Sequence, residues 1–591
     1  MIVPRLEWLL PDPVPEPPAF AGFGRPVGTL LARRGFRDDE QLTRFLHAGE
    51  ASLHDISLMA DADLALDRIE RAIDGGERIA IWGDYDADGM TAVVVWVLAL
   101  RVLGVEALRH VPSRLAEGYG LSVPGLERLR AAGAGLVITC DCGVTNAGEV
   151  EEARRLGMDV IVTDHHLPAG ALPLAVAVVD PHRSDCTYPD PDLTGAGIAF
   201  KLAFALLARR GAAAADLAGV AAIGTVADMA PMTGESRAIV RLGLDELAAT
   251  SRPGLRALLA HSAEVPEQPT ARDLAFGVAP RINSAGRIAD AELAISLLLE
   301  DDPVAAERIA EELEAVHVER RAITVATIDQ ARAMAADSPG EGPLAIVGKD
   351  WAPGVLGLVA NRLAETLGRP VAVAAAVEDE LRGSVRAPAD FHVALALDAC
   401  AGLLLKRGGH PAAGGFSLRT ADWDAFAAAF GALPRPFPPV PGQAAQRATA
   451  LPVDLVLPAV HLGWPLAEEI ARLAPFGPGH VEPLLAITGL LVAEARRVGA
   501  AGDHLALRMR RGHEVFDAIA FGTPVDRPLP EPGTALDLVG TLERDLFQGL
   551  PRLRVRVVDY AEAAASPLAA RRRAAMTALS VGEPEEVAAP A

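Results

Sequence analysis

The apolar run Ile79-Ala80-Ile81-Trp82 breaks at Gly83, delivers acids at alternate positions, Asp84, Asp86 and Asp88, and passes into a helix-like apolar stretch from Thr91 to Leu100. A buried strand followed at once by a helix opens a parallel α/β unit, and in such sheets ligands bind in the crevice beyond the strand ends. Alternation puts the three carboxylates on one side if the strand continues that far. Carboxylates that close raise one another's pKa, a conflict that divalent cations resolve. An isolated acid triplet is more often a solvated loop or a helix cap, so its company decides.

That company is a repeating pattern. From Glu77 onward strands and helices alternate: residues 136–140 form a second strand ending at Asp141-Cys142-Gly143, and Asp159–Thr163 a third ending at Asp164-His165-His166. Residues 175–179 form a fourth, ending at Asp180, and a helical segment at 146–156 separates the second from the third. The βαβ rhythm predicts a largely parallel sheet with acids and histidines gathered on one rim. Another apolar run, Ala221 to Ala227, reads as a further strand end at Asp228, and the segment FGVAPRINSAGR follows at 276–287.

Downstream, residues 302–337 are rich in Ala, Glu and Arg, with neither Gly nor Pro after Pro303, and predict one long bridging helix. A second α/β block then carries a strand at 344–347, an amphipathic helix near 355–366 and two loop signatures, RGSVR at 382–386 and GGHPAAGG at 408–415. The boundaries read as a helical lead at 1–74, an α/β domain at 75–300, a bridging helix at 301–338 and a smaller α/β domain at 339–432. A stiff Pro-rich linker at 433–450, a small β-barrel at 451–561 and a helical or disordered tail at 562–591 complete the chain. In the barrel, Leu505, Leu507 and Met509 alternate with Arg508 and Arg510, and Leu553, Val555 and Val557 with Arg552, Arg554 and Arg556. Apolar in and arginine out predicts either a basic face or an ordinary solvated surface, with Phe521 and Phe547 as the barrel's candidate stacking rings.

At 591 residues the chain is too long for one core. With 55 Lys and Arg against 78 Asp and Glu, the net charge of −23 argues against a generally basic protein that coats nucleic acid, while leaving room for a local groove. The four cysteines form no CxxC pairs and fit a reducing compartment, with Cys140 and Cys142 expected as buried strand thiols. The Pro-rich start predicts no secretory signal, and no apolar stretch reaches the roughly 18 residues that span a bilayer. A soluble cytoplasmic protein is expected.

Collected, the site candidates are Asp84, Asp86, Asp88, Asp141, Asp164, His165, His166 and Asp228. Carboxylates with imidazole suit Mn2+ or Mg2+ and not a structural zinc site. Two such ions about 4 Å apart would favour phosphoester hydrolysis.

Taken in order, GDYDADG, the DCG after the second strand, DHH at 164–166, GTVAD ending at Asp228, RGSVR and GGHPAAGG resemble the DHH phosphoesterase superfamily, and within it the RecJ single-stranded-DNA exonucleases. The resemblance implies a parallel-sheet DHH catalytic domain, a smaller α/β DHHA1 domain joined to it by the long helix, and a terminal β-barrel OB-fold. It implies a two-metal 5′-to-3′ exonuclease acting on single-stranded DNA in repair and recombination. Position by position, Asp86, Asp88, Asp141, His165 and Asp228 correspond to metal ligands, with Asp141 as the bridge. His166 corresponds to a group at the scissile phosphate or leaving oxygen, and Asp84 and Asp164 support the ligands. Arg114, Ser384 and Arg386, with Arg382 in the same signature, resemble a pocket for a terminal 5′-phosphate. Tyr119 would stack on a base, and Arg281, Asn283, Arg287, Gly409 and His410 would contact the strand or its phosphates. Implied partners are single-stranded DNA with a 5′ end, a helicase and a single-strand-binding protein, with no membrane and a monomeric chain. Two alternatives are a DHH phosphodiesterase for short oligonucleotides or cyclic dinucleotides, and a non-catalytic single-stranded-DNA scaffold. The complete set of mutually repelling acids speaks against the scaffold.

Overall fold

The computed structural model describes residues 1–12, 18–114, 116–168, 170–338, 340–438, 450–499, 502–547 and 550–571, with the side chains of 545–550 outside the description. Two compact units emerge: residues 48–446 with 475–480, and residues 1–47 with 447–474 and 481–591. The expected lead at 1–74 is therefore divided, because its first part packs with the barrel and the helix Ala62–Asp74 packs with the α/β unit.

In the α/β unit five parallel strands lie in the order Leu108–His110, Arg78–Trp82, Ala134–Thr139, Asp159–Thr163, Ala177–Val179. Strands covered on both faces need side chains that are apolar throughout, and Ile79, Ala80, Ile81 and Trp82 are all fully buried. The helix Ala87–Val102 is apolar all round because it too is enclosed, packing against Gly195–Arg209 and Leu217–Ala227. Two expectations about the acids change here. The strand stops at Trp82, so alternation does not order the triplet; the chain turns instead and Asp86 caps the helix. Asp228 ends a helix, Leu217–Ala227, and not a strand, since small residues at 217–227 suit close helix packing.

The 34-residue helix Pro303–Ala336 bridges two cores. Its first turns bury Ala306, Ile309, Ala310 and Leu313 in the main core, and its last bury Ala331 and Ala335 in the second. That second core surrounds a sheet in the order Lys406–Gly409, Ala413–Arg419, Glu380–Arg386, Val371–Val377, Leu344–Gly348, of which only the last pair is parallel. RGSVR, expected as a loop, is the end of a central strand. Leu381 and Val385 are buried on one face, so Arg382, Ser384 and Arg386 share the other. GGHPAAGG forms the hairpin between two of these strands.

In the other unit, Leu485–Val498, His504–Arg511, Glu514–Ala520, Leu550–Glu562 and Ala535–Phe547 close into a five-stranded barrel, to which Leu455–Pro458 adds at an edge. Glu7–Leu9 pairs with Ala450–Pro452, and Trp8 Nε1 donates to the buried Asp559 carboxylate at 2.9 Å, which ties the N-terminal segment to the barrel. The inward residues Leu505, Leu507, Met509, Val555 and Val557 are buried as alternation requires. Four of the five outward arginines have an acid partner: Arg508 has Glu494 at 4.0 Å, Arg552 pairs with Asp517 at 2.9 Å, and Arg554 and Arg556 pair with Glu543 at 3.3 and 3.4 Å. Those acids come from neighbouring strands, beyond the reach of a single-strand pattern. Phe521 is half exposed, while the side chain of Phe547 and the tail from 572 lie outside the described residues. The cysteines are free, and Cys140 and Cys142 are buried. Among the described residues no helix is long and apolar enough to cross a membrane.

Candidate active site

Backbone geometry sets the acids at the sheet rim before any side chain chooses a rotamer. Asp86 Oδ1 accepts from the amides of Asp88 and Gly89 at 3.0 and 3.1 Å, as a helix N-cap does. Two residues on, Asp88 accepts from the amides of Gly195 and Ala196 at 2.7 and 3.1 Å, the positive end of the helix Gly195–Arg209. Asp141 follows its strand in a left-handed conformation, φ 62°, a strain that proteins retain where a side chain must be aimed. After the third strand, Asp164 takes the amides of His165 and His166 at 2.8 and 3.1 Å and the ring Nδ1 of His166 at 2.8 Å, with its other oxygen on the amide of Val144 at 3.0 Å.

These groups converge. His165 Nε2 lies 3.0 Å from Asp141 Oδ1, 3.8 Å from Asp228 Oδ2 and 3.9 Å from Asp88 Oδ2. Asp84, Asp86 and Asp141 offer oxygens within 4.8 Å of one another. The packing leaves no room for a larger backbone: a Cβ on Gly195 would lie 2.5 Å from Asp141 Cβ, and one on Gly224 2.7 Å from Asp88 Oδ1.

Electrostatically the cluster is in debt. Burial, and after it the neighbouring charges, push Asp84, Asp88 and Asp141 well above the ordinary carboxylate range, and Asp228 up to about 7. His165 is pushed down to about 4 by burial and by His166, and is therefore a neutral donor of a lone pair. His166 goes the other way: burial opposes its cation, but the hydrogen bond to Asp164 raises it to about 9. Asp84 Oδ1 and Asp141 Oδ1 are buried and receive no hydrogen bond. Hard carboxylate oxygens, a neutral imidazole and orphaned lone pairs are a donor set that fits Mn2+ or Mg2+.

A second charged group lies in the same unit. Arg114 stacks its guanidinium 3.9 Å over the ring of Tyr85 and donates to the carbonyl of Gly286 at 3.3 Å. Arg287 donates to the carbonyl of Gly354 at 3.1 Å, and burial followed by Arg114 and Arg320 pushes it down to about 9. Arg386 is likewise lowered, by burial and then by Arg114. Among the described residues none of these three guanidinium groups forms an ion pair. Arginines that repel one another, with Arg386 on the same strand face as Ser384, make a pocket suited to an anion.

Sequence comparison then bears on the whole chain. Residues 78–225 match the DHH family N-terminal domain, 341–433 the DHHA1 domain and 453–559 the RecJ OB domain. The single-stranded-DNA-specific exonuclease RecJ of Bacillus subtilis is 32% identical over 544 residues, covering 90% of this chain and 68% of that protein. The one from Thermus thermophilus is 38% identical over 493 residues, covering 83% and 69%. The chain belongs to the RecJ family. The crystal structure of Thermus thermophilus RecJ in complex with Mn2+ superposes with a TM-score of 0.77 at 32% identity over 94% of this chain and 80% of that one. Its Mg2+ complex gives 0.72.

Within this RecJ-family chain, the structure brings together the eight acids and histidines singled out from the sequence, and it brings Tyr119 and His410 to them. The His410 ring stacks on His166 with centroids 6.2 Å apart, at the turn after Gly409, whose φ is 148°. Two expected substrate contacts, Arg281 and Asn283, are otherwise engaged. Arg281 is held by Glu314 at 2.5 Å, the Asn283 side chain accepts from the amide of Ala87 at 3.0 Å and so braces the acid loop, and the hydroxyl of Tyr119 points at His166. Sequence reading missed the Gly195 and Ala196 amides. The available signal was Thr194, a helix cap followed by Gly-Ala-Gly.

Proposed function

We propose that the chain is a metal-dependent exonuclease that hydrolyses single-stranded DNA from the 5′ end to mononucleotides, in DNA repair and recombination. What carries this reading is the convergence of buried, mutually repelling carboxylates on a neutral imidazole, with His165 Nε2 3.0 Å from Asp141 Oδ1. Asp86, Asp88, Asp141, His165 and Asp228 would hold two divalent cations, Mn2+ or Mg2+, with Asp141 between them and Asp84 and Asp164 supporting. Bound there, such a pair activates water near neutral pH and offsets the negative charge of a phosphodiester.

The chain's own groups do the rest. His166, cationic through Asp164, faces the scissile phosphate or the leaving oxygen. Arg114, Ser384 and Arg386 take the terminal 5′-phosphate, with Arg287 adding charge behind them and Arg382 on the same strand face. Holding a phosphate end at a fixed distance from the acids makes release proceed from that end, one nucleotide at a time. A helicase and a single-strand-binding protein would supply the strand. The protein would act as a monomer in the cytoplasm.

The test is an assay of 5′-phosphorylated single-stranded, double-stranded and dinucleotide substrates with Mn2+, Mg2+ or chelator, using wild type and Asp141→Ala. Mononucleotides from the single strand only, lost in chelator and in the variant, are expected. Equal digestion of blunt duplex, or full activity in chelator, would overturn the assignment.

A further inference from the structure

The hydroxyl of Tyr119 has a more specific position than base stacking requires. Its oxygen lies 3.1 Å from His166 Nδ1 and donates its proton to the backbone carbonyl of Asp141 at 3.2 Å. The same Nδ1 lies 2.8 Å from Asp164 Oδ1, a carboxylate oxygen that can only accept. Nδ1 therefore carries a hydrogen. The phenol, whose own hydrogen is committed to the Asp141 carbonyl, can only accept from it. Nδ1–H is shared between Asp164 and Tyr119, and Nε2 is the nitrogen left for the reaction. The ring of Tyr119 packs edge-on against His166 with centroids 5.5 Å apart, while 43% of the residue remains exposed. One side chain thus links His166 to the backbone of Asp141, the residue held at positive φ.

We propose that Tyr119 is a positioning residue for His166, its hydroxyl fixing the plane of the imidazole ring, while its partly exposed ring stays free to meet a base. The inference rests on the nuclease reading above. It separates two functions within one residue, because Phe keeps the ring and loses the hydroxyl, whereas Leu loses both. Losing an outer partner of this kind costs on the order of tenfold in rate.

The experiment measures kcat and KM for mononucleotide release from a 5′-phosphorylated single-stranded oligonucleotide with Mn2+, together with Mn2+ affinity, for wild type, Tyr119→Phe and Tyr119→Leu. Tyr119→Phe is expected to lower kcat about tenfold, with KM and Mn2+ affinity within twofold of wild type. Tyr119→Leu should add a rise in KM. A Tyr119→Phe enzyme with wild-type kcat would overturn the proposal, leaving the residue as a stacking surface alone. Weakened Mn2+ binding in Tyr119→Phe would also overturn it, by placing the hydroxyl's effect on Asp141. A wild type that releases no mononucleotides would bring down the nuclease reading and this inference with it, whereas an active wild type matched by Tyr119→Phe removes this inference alone.

Discussion

Asp84, Asp88 and Asp141 at the rim of the parallel sheet are buried beside one another, whereas Arg552, Arg554 and Arg556 on the barrel each have an acid within 3.4 Å. Both stretches are dense in one sign of charge. On the barrel, neighbouring strands return the opposite sign, so the field cancels and the pairs contribute little. At the rim His166 and the Gly195 and Ala196 amides offset only part of the charge, and burial, followed by the repulsion among the acids, drives three carboxyls well above their ordinary range. Function is to be sought where charge is left uncompensated at a cost to the fold. By that criterion Arg114, Arg287 and Arg386 belong with the acids and not with the barrel.

The contrast can be broken at several depths. Asp141→Ala removes an oxygen from the centre of the uncompensated cluster, and cleavage should fall roughly a thousandfold, because groups that act as a unit fail together. A loss under tenfold in single-turnover cleavage would mean that the cluster is not the reactive centre. Asp164→Asn leaves the acids in place but weakens the hold on His166; kcat should drop ten- to a hundredfold with KM little changed. If KM moves and kcat does not, His166 acts in binding. Arg386→Ala should cost about tenfold in the affinity for a 5′-phosphorylated strand and almost nothing for a 5′-hydroxyl strand, since a charge-assisted contact is lost only with the former. Equal losses on both substrates would put this arginine outside a terminal-phosphate pocket. Smallest of all, Arg552→Gln with Arg556→Gln should change thermal stability by less than about 1 kcal/mol and strand affinity less than twofold. A much steeper fall in affinity, with a shallower salt dependence, would show that the barrel's charges are not spent on their acids.

Much of the architecture was legible from the order of residues. Asp159–Thr163 is an apolar strand running straight into DHH, and Pro303–Ala336 has the composition of an uninterrupted helix. The eight acids and histidines could be picked because carboxylates and imidazoles announce their chemistry by residue type. What stayed hidden is what residue type does not encode. The amides of Gly195 and Ala196 that hold Asp88 are common to every residue, and they come from a helix 107 and 108 positions away. The pairing of Arg554 and Arg556 with Glu543 depends on strand register, as does the salt bridge that takes Arg281 to Glu314 on helix packing. RGSVR has the look of a loop in sequence because its glycine masks the two-residue alternation that puts Arg382, Ser384 and Arg386 on one face.

The central claim is that the rim acids form a site for two cations, and calorimetric titration of Mn2+ into the metal-stripped protein tests it most directly. Two ions per chain are predicted for wild type, with at least one lost in Asp141→Ala and none lost in Arg556→Gln. Absence of saturable binding to wild type, or an unchanged stoichiometry of two in Asp141→Ala, would contradict it.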